Sequence, residues 1–108
     1  MLQQIEELLI APTSGAAAPS LARMEDTLTG GYAQALALEA ERLRLERRLG
    51  EVARTADGPN VANLADELSS LASRLTSAEG ELSHLRALLG SLQERTRSMR
   101  LAARTADA

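Results

Sequence analysis

The sequence contains no cysteine, no lysine, no phenylalanine and no tryptophan, and its one aromatic residue is Tyr32. Without cysteine there is no disulfide framework and no thiolate chemistry. Two isoleucines and two valines in 108 residues are too few β-branched side chains, with almost no aromatic ones beside them, to build a sheet or sandwich core. No apolar run reaches membrane-spanning length, so no membrane partner is expected. The start of the chain has no positive n-region: Met1-Leu2-Gln3-Gln4 leads into Glu6-Glu7, and the apolar stretch Leu8 to Ala11 is too short for a signal h-region. The expected location is therefore the cytoplasm. An excess of positive charge is also lacking: the net charge is −3 and the pI about 5.2, which argues against nucleic acid as a partner.

What the sequence does have is leucine, alanine, glutamate and arginine, all strong helix formers. Apolar residues make up 44% of the chain, and all twelve basic residues are arginine, a bias that suits a GC-rich bacterial genome. The expectation is an all-α fold.

Residues 1–11 read as a short amphipathic helix with Leu2, Ile5, Leu8 and Leu9 on one face. Residues 12–19 form a linker closed by Pro19. The remainder, 20–108, reads as one helical-hairpin domain with helices over about 20–54 and 61–104. Ser20 is placed to cap the first of these. The pair Gly30-Gly31 costs about 1 kcal/mol per glycine relative to alanine, which predicts a kink or break. Thr55-Ala56-Asp57-Gly58-Pro59-Asn60 is the turn, and Asn60 caps the helix that follows.

The second long helix carries the strongest pattern. Val61, Leu64, Leu68, Leu71, Leu75, Ala78, Leu82, Leu85, Leu89, Leu92, Thr96 and Met99 alternate spacings of three and four without a slip, a coiled-coil seam with a at Val61 and d at Leu64. On the first long helix, Leu28, Ala35, Leu38, Leu45, Leu49 and Val52 form a stripe that Leu36 and Leu43 widen. A stripe that wide faces more than one neighbour. Charge then selects the pairing. Residues 42–54 hold five arginines and two acids, while 55–81 hold five acids and one arginine. Folding back at Gly58-Pro59 sets these blocks against each other and sets acidic 20–41 against basic 82–96, so the helices pair antiparallel. Each buried leucine contributes about 1.5–3 kcal/mol, against an ordering cost of about 1–2 kcal/mol per residue. A bare two-helix hairpin is therefore marginal. Dimerisation into a four-helix bundle is expected to supply the missing surface, and a different protein is the alternative supplier.

Candidate ligand sites are few. Glu81-x-x-His84 has the helical metal-ligand spacing and resembles that of the encapsulated ferritins, with Glu39 the nearest carboxylate on the first long helix. However, Glu81 falls at g and His84 at c, away from the seam where such a site is built, so no metal and no cofactor is expected. The residues Glu79-x3-Ser83-x2-Arg86-x3-Gly90-x3-Glu94 resemble the Glu-x3-Ser-x2-Arg-x3-Gln-x3-Asp signature of the actinobacterial anti-sigma coiled coils that bind cyclic di-GMP. Three of the five positions match, Glu94 stands for Asp, and Gly90 replaces the Gln. That resemblance implies a cyclic-dinucleotide-responsive regulator with Glu79, Ser83, Arg86 and Glu94 on the nucleotide. Arg95, Arg97, Arg100 and Arg104 are expected to complement the helix C-terminal dipole and to pair with Glu6 and Glu7. No nucleophile with an oriented base and no phosphate loop is present, so no enzyme is expected.

The outer face of the second long helix is unusual. Between residues 69 and 91 its b, c and f positions are mostly serine, glycine and alanine, with the long charged side chains moved to e and g. Ser73, Ser77, Gly80, Ser83, Ala87 and Gly90 form a smooth stripe that a partner helix could approach closely. The leading expectation is a structural or regulatory protein–protein interaction module, a homodimer that binds another protein.

Overall fold

The computed structural model describes residues 1–55 and 61–107; the expected turn over 56–60 and its Asn60 cap lie outside the described residues. Among the described residues there are three helices and no strand: α1 (Leu2–Ile10), α2 (Leu21–Arg54) and α3 (Val61–Asp107). Among the described residues no helix is long and apolar enough to cross a membrane.

Local chemistry sets the helix ends. α1 stops at Ala11, which is extended (φ −67°, ψ 154°) because a residue before proline, here Pro12, is pushed out of the α region. A turn follows in which Ala18 N donates to Gly15 O at 3.2 Å, and Gly15 takes the positive φ of 90° that suits only glycine. Ser20 then caps α2, its Oγ accepting from Arg23 N at 3.1 Å. At the far end of α2, Thr55 donates through both its N–H and its hydroxyl to Val52 O. α3 runs three residues past the expected end near Arg104, through a last turn in which Thr105 Oγ1 donates to Leu101 O at 2.9 Å.

The chain divides into two compact units, one of Met1–Ala35 with His84–Ala108, the other of Leu36–Ser83. In the first, α1 is a third helix. Its Ile5 and Leu8 are buried with Met24, Leu28 and Ala35 of α2 and with Leu85, Leu89 and Leu92 of α3. Thr96 takes a core position and is satisfied there by donating to Leu92 O at 2.7 Å. Arg100 pairs with Glu25 at 2.9 Å. Arg95 donates to the carbonyls of Leu9 and Ala11, two of the acceptors that the end of α1 leaves unpaired.

Two expectations are corrected in this unit. α2 is continuous through Gly30 and Gly31. The missing side chains make room for neighbours: a Cβ on Gly31 would overlap Leu89 Cδ2 and lie 3.5 Å from Ile5 Cδ1, and one on Gly30 would lie 2.8 Å from Met1 Cε. The tight packing of Leu89 and Met1 offsets the propensity cost of about 1 kcal/mol per glycine. Nor, among the described residues, is a pair seen between the C-terminal arginines and Glu6 or Glu7. Glu6 Oε1 lies 3.6 Å from His84 Nε2, and Glu7 Oε1 accepts from Gln3 Nε2. Arg95 and Arg100 are engaged elsewhere, as above.

In the second unit the described residues are those of α2 and α3, packed against each other, with Thr55. Leu45, Val52, Leu71 and Ala78 form the core, flanked by half-buried Leu49, Leu64, Leu68 and Leu75. Arg48 reaches Glu67 at 2.7 Å and Glu41 accepts from Arg74 at 3.3 Å; as the α2 number falls the α3 number rises, so within this unit the two run antiparallel. The basic block of α2 meets the acidic start of α3, as the charge pattern predicts. Val61 departs from the expected seam, with 59% of its surface exposed. It opens α3 outside the packed layers, the first of which on this helix holds Leu64.

Candidate functional site

The second unit presents its most conspicuous surface on α2. The stripe that carries Leu38, Leu45 and Val52 inward is buried, whereas Leu36 and Leu43 keep 66% and 46% of their surface exposed. Seven residues apart on one helix, they lie about 10 Å from each other on nearly the same face. Ala40 sits between them and Arg47 one turn beyond Leu43, both exposed. An exposed leucine alone is unremarkable in a soluble protein. A pair at heptad spacing with a small residue between has the pattern of a helix–helix contact.

The flanks of this stripe are held by charge. Arg44 donates to Glu41 at 2.8 Å, Arg74 reaches the same carboxylate from α3, and Arg42 lies 3.8 Å from Glu46. The hydrogen bond from Arg44, with the positive charge of Arg44 and Arg74, holds the Glu41 carboxyl below its ordinary value against a desolvation effect of opposite sign. Arg48, bonded to Glu67 and lying 3.5 Å from Glu51, is raised above the ordinary guanidinium value, chiefly by the Glu67 hydrogen bond. Both groups keep their charges at neutral pH. They orient α2 about its axis, with the buried stripe toward α3 and Leu36 and Leu43 away from it.

The residues singled out on α3 lie at its surface. Ser73, Ser77, Gly80, Ser83, Ala87 and Gly90 are all exposed, and a Cβ on Gly80 or Gly90 would meet nothing within 4 Å. On the neighbouring turns, Thr76 and Ser91 return their hydroxyls to the carbonyls of Ala72 and Ala87. Glu79, Ser83, Arg86 and Glu94 are exposed as well, and Glu94 lies 3.9 Å from Arg97. Glu81 and His84 are exposed, His84 has Glu6 beside it, and Glu39 is half-buried. Among the described residues no three His, Cys, Asp or Glu side chains gather into a metal site.

Two open depressions lie in the first unit. One, of about 350 Å³, is lined by Glu25, Leu28, Thr29, Tyr32, Gln93, Thr96 and Arg100, and across it Tyr32 OH donates to Gln93 Oε1 at 3.1 Å. The other, of about 400 Å³, is lined by Thr13, Arg95, Ser98, Met99 and Ala102. Neither includes a residue of the nucleotide signature or of the small-residue stripe. Comparison with known families, curated proteins and solved structures finds no match to this chain.

Proposed function

We propose that this protein is a non-enzymatic protein–protein interaction module, structural or regulatory, that acts in the cytoplasm as a dimer in which two α2–α3 pairs form a four-helix bundle. One observation carries the reading: on a helix whose other apolar stripe is buried, Leu36 and Leu43 stay in water. The second unit has two helices where the first has three, and a second copy supplies the cover that α1 supplies elsewhere. The half-buried Leu49, Leu64, Leu68 and Leu75 flank the core on the other side of α2, toward α3, and a bundle would cover them there.

Sedimentation equilibrium at micromolar concentration tests the proposal. The wild-type chain is expected to weigh as a dimer, and the Leu36→Glu/Leu43→Glu double variant as a folded monomer with unchanged far-UV circular dichroism. A wild-type chain that stays monomeric up to hundreds of micromolar while melting cooperatively would overturn it.

A further inference from the structure

We infer that the groove filled by α1 is a docking site for an acidic amphipathic helix of another protein, longer than α1, and that α1 is the tethered occupant this helix displaces. The inference adds a site and a class of partner to the interaction-module reading. It lies in the first unit, apart from the dimer proposed for the second.

α1 is a short plug in a longer groove. Glu6 lies beside His84, and Arg95 donates to the carbonyls of Leu9 and Ala11; as the α1 number rises the α3 number rises, so the two run parallel. α1 ends at Ile10, ahead of Pro12, but the face of α3 that it lies against continues. Ser98 stands two heptads after His84, and Ala102 one heptad after Arg95, so both keep to the same side of the helix. With Thr13, Arg95 and Met99 they line the depression of about 400 Å³ just past the end of α1. A helix that ran on for one or two turns, about 5 Å each, would fill this space with an apolar side chain. That side chain belongs four residues after the one in the place of Leu8, where this chain has Pro12.

Arg95 specifies the charge. Its two Nη atoms are bonded to neutral carbonyls, and its Nε is buried with no hydrogen-bond partner. In a helix that runs on, those carbonyls are taken by the helix's own N–H groups. A carboxylate in the place of Ala11 then satisfies the guanidinium instead, through a stronger, charge-assisted bond. α1 itself has two buried anchors, Ile5 and Leu8, and residues 12–17 of its tether are exposed. A helix so short is unstable once released, and its tether sets an effective concentration on the order of millimolar. A third anchor and a carboxylate let a free helix compete below that concentration.

Synthetic peptides test this on the full chain. One is residues 1–11; the other is residues 1–16 with Ala11→Glu, Pro12→Leu and Gly15→Ala, so that the helix runs on. A fluorophore on Gln4→Cys, an exposed position of α1 in a chain with no cysteine of its own, reports release of α1 as a fall in anisotropy. The longer peptide is expected to bind saturably and about tenfold more tightly than the shorter, with the anisotropy falling in step. Ala102→Glu, also at an exposed position, is expected to leave the far-UV circular dichroism unchanged and to weaken the longer peptide about tenfold and the shorter one little. The inference is overturned by a longer peptide that binds no more tightly than the shorter, that binds without releasing the label, or that shows no saturable binding up to about millimolar concentration. Those outcomes leave the dimer standing. A wild-type chain that sediments as a monomer yet takes the longer peptide in place of α1 upholds this inference while the dimer fails.

Discussion

The two units are built from the same two long helices, yet they enclose their apolar residues to different degrees. Where α1 is present, Ile5, Leu8, Met24, Leu85, Leu92 and Thr96 are almost fully buried. In the unit without it, Leu49, Leu64, Leu68 and Leu75 stay half-wet and Leu36 and Leu43 stay exposed. Nine residues of helix make that difference. A helix this short is unstable in isolation, so α1 owes its order to the groove it fills. The α2–α3 pair encloses Leu45, Val52 and Leu82 without a third helix, but it leaves more of its flanking leucines half-exposed there.

Truncating one leucine in each unit gives the largest expected effect. Leu92→Ala should cost about 3–5 kcal/mol, because the three-helix core cannot collapse around the hole, whereas half-buried Leu75→Ala should cost about 1–2 kcal/mol. Urea denaturation at a concentration that keeps the chain monomeric measures both. Equal losses would mean that α1 does not distinguish the two units.

Glycine sharpens the comparison at smaller scale. Gly31→Ala gains helix propensity of about 1 kcal/mol but forces a Cβ onto Leu89, in a core where overpacking costs about 1–3 kcal/mol. The expected result is a net loss. Gly80→Ala has the same propensity gain and open space around it, so it should raise stability by up to about 1 kcal/mol. A stabilising Gly31→Ala would show that Leu89 moves aside freely and that the close approach of α2 and α3 there is loose.

The same residues show what could be read from the chain before folding. The seam from Leu64 to Met99 was legible because it repeats along one helix, and the buried face of α2 was legible for the same reason. Met24 was missed although it lies one turn before Leu28 on that face, a position that extending the period backwards would have found. The glycine pair was misread because propensity is a property of the helix alone, while the contact that favours Gly31 comes from Leu89, far away in sequence. Arg95 was read as a surface charge for a similar reason: its acceptors, the Leu9 and Ala11 carbonyls, are polar groups that every residue carries and no pattern marks. Leu36 and Leu43 read as a widening of the buried stripe, but each lies about 200° around the helix from Leu38 or Leu45, and both are exposed.

The smallest expected effect concerns the open unit, where charge does part of the work that packing does in the closed one. Glu41 is bonded to Arg44 and Arg74, and its folded-state carboxyl lies below the ordinary value of 4.5. Above about pH 4.5 the group is ionised in both the folded and the unfolded chain, so its contribution to stability is present in full. As the pH falls through the lower folded-state value the carboxylate takes up a proton, the arginines lose their partner, and the contribution disappears. Glu41→Gln should therefore lower the melting temperature slightly and by a constant amount between pH 6 and 8. The difference from wild type should narrow below pH 4.5 and close once the pH lies below the lowered folded-state value, where both unfolded and folded carboxyls are protonated. Because these side chains lie at the surface, 0.5 M salt should shrink the neutral-pH difference as well. A difference that does not narrow at all as the pH falls below 4.5 would mean that the Glu41 side chain supports this unit through its shape or its neutral hydrogen bonds, and that the second unit depends on packing as fully as the first.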